Sequence, residues 1–537
     1  MEIYDKYMHD IILLNPTIND YIKDKKYDHL RDRLSDFLSK DYENREKKLN
    51  QKYLVLLKKK KEHSLYEKLM YEELKEYFDT LYFKGEYFPL SHSDNIFIDF
   101  ITIINSKDSS YEFTDIQSYK DYMSRLKKCK RICNQMIDYM KKGIKCRMTI
   151  EKIIVQSIIR QLQELLLNNT YENEYNHYRT IPSKIRKEFL DCVESNVISS
   201  IKKMNQFLID DYIDHCRCNI GLSYLKNGKR LYRDIVKSYI EDYTPEQVHE
   251  LGLSEINKTI KKLKDLQKKL KFKGDYQLFI NHMRDNPSSK MKDKKHVMDE
   301  LKRLRESQIK EIFNKYFDDD IQKKDYYQIK CVSIEDKHTS AYYQLPGLNS
   351  MKKGTFFINA LNPSRINKHE LPVLSLHEGI PGHHYENKLN RDKDTPLYYK
   401  LSDFTAYSEG WGLYCESLLE PNNNYESFWQ LIYDLHRCVR LVVDTGIHYY
   451  GWSYEKSFQY MKKNLSFSDE SIKNEIFRYI CDPGQAITYK IGEQFIFKLR
   501  KKFFMKHGEN YKEFHKLFLK IGPLPLNIFE EEFNNYL

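Results

Sequence analysis

The sequence predicts a mainly α-helical protein carrying one small β-sheet, and three observations lead there. Gly and Pro are sparse for a chain of 537 residues, at 18 and 14, which disfavours a turn-rich β architecture. From residue 1 to about 320, apolar residues recur at three- and four-residue spacing among charges, the stripe that a helix buries. Hydrophobic residues supply 41% of the chain, enough for a substantial core and too many for general disorder.

Taken in order, helical patterning covers 28–60, 117–143, 149–168, 184–215 and 254–271, with breaks at 89–94, 168–174, 227–228 and 285–289. No repeat of fixed period appears, which disfavours a solenoid. No Gly/Ser-rich or Pro-rich linker divides the chain, so a helical region 1–320 and a catalytic region 321–537 are read as one continuous body. The texture changes between 328 and 360. QIKCVSI, AYYQLPG and GTFFINA are short, β-branched or aromatic, and separated by Gly and Pro, so they predict strands. Helical patterning resumes at Pro372.

Lys and Arg number 89 against 78 Asp and Glu, a formal charge of +11. The charge is spread along the chain. In the densest run, Lys258 to Lys273, the residues Ile260, Leu263, Leu266 and Leu270 recur at helical spacing, which reads as an amphipathic helix with solvated lysines. No nucleic-acid module accompanies it, so no nucleic-acid partner is expected. The ten cysteines include no CxxC pair, and His215-Cys216-x-Cys218 has no partner pair, so reduced, partly buried thiols are expected. The N-terminus is interrupted by charges and lacks an apolar h-region, and no run of about 18 apolar residues occurs. These features predict a cytoplasmic or otherwise intracellular protein without a membrane partner. Oligomeric state is not legible.

The chemistry centres on HEGIPGHH at 377–384. In H-E-x-x-H two histidines one helical turn apart grip zinc, and the intervening Glu activates water. Here Pro381 stands four residues after His377, and the next histidines are His383 and His384. On an undistorted helix His383 lies roughly 240° round from His377, while His384 lies near 340° but roughly 10 Å along the axis. Neither fits. Pro381 cannot donate to the His377 carbonyl and its ring crowds that carbonyl, whereas Gly382 tolerates unusual dihedrals. A widened turn at 380–382 would bring His383 into the second ligand position. His383 is preferred, with His384 as the alternative. Glu409, in the apolar and aromatic stretch YSEGWGLYCES, is the candidate third ligand, because a carboxylate there needs a cation or a hydrogen-bond partner. Glu416 and Glu386 read either as partners of a ligand histidine or as surface charges.

The segments HEGIPGHH (377–384) and EGWGLYCE (409–416) closely resemble the family called domain of unknown function 885. DTGIH (444–448) with Gly451-Trp452, RYICDPGQAITYKIG (478–492), GLSYLKNGKRLY (221–232), TPEQVHELGL (244–253) and GTFFINALNP (354–363) match it as well. The family looks distantly similar to helical peptidases of the thermostable carboxypeptidase and thimet oligopeptidase kinds. The resemblance implies a large helical metallopeptidase-like fold with a central channel and a small sheet near the site. It also implies one zinc ion on His377, His383 and Glu409, with Glu378 as the proton carrier. By analogy Tyr489 would stabilise the oxyanion, with core packing as its alternative role, and His448 would be a second donor. Arg478 would meet a substrate carboxylate or, alternatively, pair with Glu475 or Asp482. Asn359, at the end of an expected edge strand, would bond a peptide backbone.

The expected function is a zinc-dependent peptidase acting on short peptides, of carboxypeptidase or oligopeptidase type. Another amide as substrate, or a binding role without catalysis, are the alternatives. Two histidines and one carboxylate suit zinc best, and manganese or cobalt are chemically admissible.

Overall fold

The computed structural model describes residues 2–79, 99–100, 110–168, 181–318, 326–332, 340–350 and 352–537. The expected turns at 89–94 and 169–174 and the division at 320/321 lie outside these residues. Two compact units emerge. One comprises Met1–Asn219, Pro346–Lys352 and Thr395–Ser402, the other Ile220–Leu345, Lys353–Asp394 and Asp403–Leu537.

The regular elements described in the first unit are all helices. Its helices bury one face at the spacing read from sequence. Cys129–Cys146 buries Ile132, Cys133, Met136, Ile137 and Met140, and packs on Ser199–Phe207. Each such side chain removed from water contributes roughly 1.5–3 kcal/mol. All ten cysteines are unpaired thiols, six of them buried.

The second unit holds the functional motifs. Helix α1 (Pro245–Lys269) begins where Thr244 and Gln247 cap one another, with Pro245 in the first turn. It buries Leu263 and Leu266 and exposes Lys258, Lys261, Lys262 and Lys264, so the basic run is a solvated face. The sheet contains β1 (Gln328–Cys331), β2 (Ala341–Gln344) and β3 (Thr355–Ile358) in the order β1-β3-β2. β3 pairs parallel with β1 and antiparallel with β2. Because it is central, all four of its residues are buried, whereas every residue of β2 is half-buried. The expectation that Asn359 ends an edge strand is therefore corrected: it follows the central strand.

Further along come α2 (Leu371–Leu374), α3 (His383–Asp392), α4 (Thr405–Glu416), α5 (Asn424–His448), α6 (Asp469–Cys481) and α7 (Thr488–His507). α1 lies along α5, where Gly252 sits against Val442 and Leu441. α4 and α7 touch backbone to backbone. A Cβ on Gly410 would stand 2.5 Å from the Cα of Gly492, so only glycine at both positions permits this approach.

Candidate metal centre

The break expected inside the His-Glu motif is present, but in a different form. α2 runs directly into a π-wound turn, Ser375–Gly379, which carries His377 and Glu378. Ile380 is extended, the Ile380–Pro381 peptide is cis, and a new helix starts at His383. The widening thus precedes residues 380–382 rather than falling on them. These three residues interrupt the helix, as a proline without an N–H directs. At Gly382 a Cβ would lie 1.9 Å from the His377 carbonyl oxygen, so the chain can double back there only with glycine. Trp411, fully buried on α4, donates its indole N–H to the Pro381 carbonyl at 2.9 Å and ties the break to the helix bearing Glu409.

Three side chains converge. His377 Nε2 and His383 Nε2 each lie 3.4 Å from Glu409 Oε2, and the three ligand atoms all fall within 4.8 Å of one another. Ligand atoms held about 2.1 Å from one tetrahedral ion stand about 3.4 Å apart. The two separations from Glu409 Oε2 meet that requirement. The rings of His377 and His383 are perpendicular, 4.7 Å between centres. Glu409 divides its oxygens. Oε1 accepts from the Tyr489 hydroxyl at 2.9 Å, while Oε2 is buried without a hydrogen-bond partner. A buried carboxylate oxygen left in this way is the atom a cation would satisfy. On donor chemistry and spacing, the residues fit a divalent metal.

The surroundings orient these ligands. His377 Nδ1 lies 2.8 Å from Glu416 Oε1, close but too poorly aligned for a well-formed hydrogen bond. Glu416 in turn accepts from Arg437 Nη2 at 2.7 Å. Gly412 leaves room for the imidazole, because a Cβ there would stand 2.8 Å from His377 Cε1. Glu378 is buried beside the two histidines. Burial pushes its carboxyl up, and His377 and His383 pull the other way. For His377 burial opposes the charge, but Glu409 and Glu416 outweigh it and raise the imidazole to about 9. Burial likewise opposes the charge on Glu409, yet the neighbouring His377 and His383 hold it well below the usual carboxylate range.

The remaining predicted residues divide. His384 turns towards the sheet, with Nδ1 3.0 Å from Tyr343 Oη, and stands outside the ligand set. Glu386 is buried, accepts from Asn390, and is pushed up to about 7 by burial. Tyr489 stands in the site: its oxygen accepts from Arg478 Nη2 at 2.7 Å as it donates to Glu409. Arg478 also donates to Gln485 Oε1 at 2.8 Å. Asn359 uses its amide N–H on Ser340 and its side-chain oxygen on Leu361 N. The expectation of His448 as an oxyanion donor is corrected. It is fully buried, with Nε2 2.8 Å from the Tyr479 carbonyl and Nδ1 accepting from Leu222 N, so both ring nitrogens serve the core.

Two arginines were not read as site residues. Arg437 braces Glu416, and Arg440 donates to Glu475 at 3.0 and 3.2 Å while lying 4.5 Å from the Tyr489 ring centre. His436 and Tyr479 contact the same Glu475 oxygen at 3.1 and 2.8 Å. The available signal was HRCVRLVV, two guanidiniums in an otherwise apolar helical run.

Fold and site together define a mainly helical protein with a three-residue constellation able to hold a metal ion. The chain belongs to the bacterial family of unknown function DUF885, which it matches over residues 16–533. No curated protein sequence matches it. A candidate lipoprotein from Colwellia psychrerythraea superposes with a TM-score of 0.89 at 19% identity, covering 99% of this chain and 98% of that one. A candidate lipoprotein of unknown function from Shewanella oneidensis gives 0.73 at 16%, covering 98% of each. A carboxypeptidase from Pyrococcus furiosus gives 0.37 at 11%, covering 98% of this chain and 92% of that one, a likeness too slight to carry an argument. At these identities the first two show the fold alone. Their description as lipoproteins overturns the intracellular expectation. Among the described residues no helix is long and apolar enough to cross a membrane.

Proposed function

We propose that this protein is a zinc-dependent hydrolase that cleaves the amide bond of short peptides, with the ion held by His377, His383 and Glu409. One observation carries the reading: Glu409 Oε2, buried and without a hydrogen-bond partner, lies 3.4 Å from both imidazole Nε2 atoms, with Glu378 next to His377 in the chain. A zinc ion bound there supplies a Lewis acid that polarises a carbonyl and makes water nucleophilic near neutral pH.

The chain's own residues account for the rest. Glu378 takes a proton from the attacking water on its carboxylate and delivers it to the leaving amine nitrogen. Burial favours its protonated form, which suits a group that must hold a proton between two transfers. Tyr489 keeps Glu409 oriented, and its one hydroxyl hydrogen must leave Glu409 Oε1 if it is to reach an oxyanion developing on the reacting carbonyl. Glu416, braced by Arg437, fixes the His377 ring.

Metal analysis of the purified protein tests the reading, combined with a peptide-hydrolysis screen before and after chelation. About one zinc per chain, with activity lost to chelator and restored by zinc, is the expected result. A protein that takes up no divalent metal on reconstitution, or cleaves no peptide when loaded, defeats it.

A further inference from the structure

A cavity of about 460 Å³ opens on the far side of α3 from the metal ligands. Tyr385, Leu389 and Asp392, which line it, stand roughly 180–240° round the helix from His383, so it is separate from the ligand set. A second wall is α8 (Tyr511–Ile521), which offers Lys512, Lys516 and Leu519 at three- and four-residue spacing. Sites that take a small organic molecule span roughly 300–1,000 Å³, and this one falls within that range. Phe317, Tyr385 and Leu519 are buried and Leu389 is half-buried, so an apolar body seated on them is removed from water.

Lysines surround this apolar floor. Lys512 pairs with Asp318 at 3.2 Å, Lys516 lies 4.0 Å from Glu513, and Asp392 is 3.8 Å from Lys388. Lys393 and Lys520, also in the lining, make no ion pair among the described residues. Lys520 Nζ instead lies 5.0 Å from the Tyr536 ring centre. Lys393 is half-buried. Its Nζ donates to the Leu519 carbonyl at 2.6 Å and to Asn390 Oδ1 at 2.9 Å, which uses two of its three N–H bonds. Glu386 lies beyond Asn390, from which it accepts. Burial pulls the Lys393 ammonium down to about 8 in spite of Glu386, and it pushes the Glu386 carboxyl up to about 7. Each charge is thus left short of compensation. Counting Lys388 and the four lining lysines against Asp318, Asp392, Glu386 and Glu513 still leaves one positive charge over.

We infer that this cavity binds a singly charged aliphatic carboxylate, with its head on the remaining N–H of Lys393 and its chain over Phe317, Leu389 and Leu519. Such a ligand supplies the counter-charge that Lys393 lacks and matches the one positive charge left over around the cavity. Its chain covers the apolar floor, which a small inorganic anion would leave wet. A cation with the same chain gains the apolar contact but meets the lysines with the wrong sign. The site lies across α3 from His383 and depends on no metal.

Calorimetry of the whole protein with decanoate and with decyltrimethylammonium, below micelle formation, tests the inference. One decanoate per chain is expected, bound at least about tenfold more tightly than the cation, the lower end for a hydrogen bond to a charged group. Chelator-treated and zinc-loaded protein are expected to bind it equally, which separates the cavity from the metal centre. Lys393→Met is expected to remove the preference for the anion. Leu389→Trp, whose indole fills the apolar part, is expected to remove decanoate binding altogether, with melting curves reporting the fold of each variant. Because Lys393 also braces α3 to Leu519, Leu389→Trp decides the matter if the lysine variant unfolds. Absence of decanoate binding, equal binding of the two amphiphiles, or binding that survives Leu389→Trp overturns the inference. A preference undiminished in Lys393→Met overturns it as well. Binding seen only in the zinc-loaded protein would place the carboxylate on the metal, and that too overturns it.

Discussion

Tyr489 donates its hydroxyl hydrogen to Glu409 Oε1 at 2.9 Å, which leaves Oε2 alone to face the two imidazoles. One carboxylate oxygen is thereby assigned to orientation and the other to the ion. Tyr489→Phe removes the orienting bond without changing a ligand. Losing such an outer partner typically costs 10- to 100-fold in metal affinity or activity. Zinc affinity by competition with a coloured chelator is expected to fall within that range, with the melting temperature little changed. Unaltered affinity together with unaltered turnover would remove Tyr489 from the site.

The motif offers two adjacent histidines, and their surroundings separate them. His383 shares Glu409 with His377, whereas His384 Nδ1 faces the Tyr343 hydroxyl. His383→Ala is expected to lose stoichiometric zinc and His384→Ala to retain it, as measured on dialysed protein. The reverse pattern would assign the ligand to His384.

Glu378 is not among the ligands, so Glu378→Gln should leave zinc content intact. The amide cannot carry the proton, and general acid–base catalysis typically contributes 10²–10⁴-fold. Peptide hydrolysis by the zinc-loaded variant is expected to drop by about that factor in kcat. Loss of the metal along with activity would mean that Glu378 acts on the site's structure instead.

Much of this was legible in the chain because local patterns record local physics. Helical periodicity marked the stripe that Ile132, Met136 and Met140 bury, and β-branched and aromatic runs marked the three strands. Sheet order was not legible, since nothing local distinguishes central Thr355–Ile358 from edge Ala341–Gln344 before pairing partners are known. Pro381 and Gly382 announced a break between the histidines, but the π-wound turn at Ser375–Gly379 comes from how α2 meets its neighbours. His448 illustrates the opposite error. A histidine in a matching segment suggested chemistry, yet its two nitrogens are taken by backbone groups from distant parts of the chain. Arg440 was passed over because an arginine in an apolar run shows neither its partner nor its depth.

The site also predicts a pH dependence. His377 is held protonated up to about 9 by Glu409 and Glu416 against the effect of burial. A metal ion needs the neutral imidazole, so below about pH 9 binding must expel that proton. Apparent zinc affinity should therefore rise with pH, by at least about tenfold per unit between 7 and 9, and level off above. Calorimetry in buffers of different ionisation enthalpy should report at least about one proton released at pH 7.5, since His383 is raised as well. Affinity independent of pH across this window would contradict the placement of His377 between two carboxylates.

Gly412 gives a test that alters no ligand and no hydrogen bond. In the middle of a helix, alanine is ordinarily favoured over glycine by roughly 0.5–1 kcal/mol, so at an indifferent position Gly→Ala would stabilise α4. Here the added methyl would stand 2.8 Å from His377 Cε1 and 3.0 Å from both ring nitrogens. The backbone of α4 is fixed by its contact with α7 at Gly410 and Gly492, and by the Trp411 bond to Pro381. The imidazole is the part able to move. Rotating it away from Glu409 opens the ligand set on one side while the helix remains intact. Gly412→Ala is therefore expected to keep its helical circular dichroism and cooperative melting but to bind zinc at least about tenfold more weakly, in the range of outer-partner losses. A variant that melts higher and binds zinc as tightly as the parent would show that His377 has room to spare, and that the close fit between α4 and the π-wound turn does not hold the site.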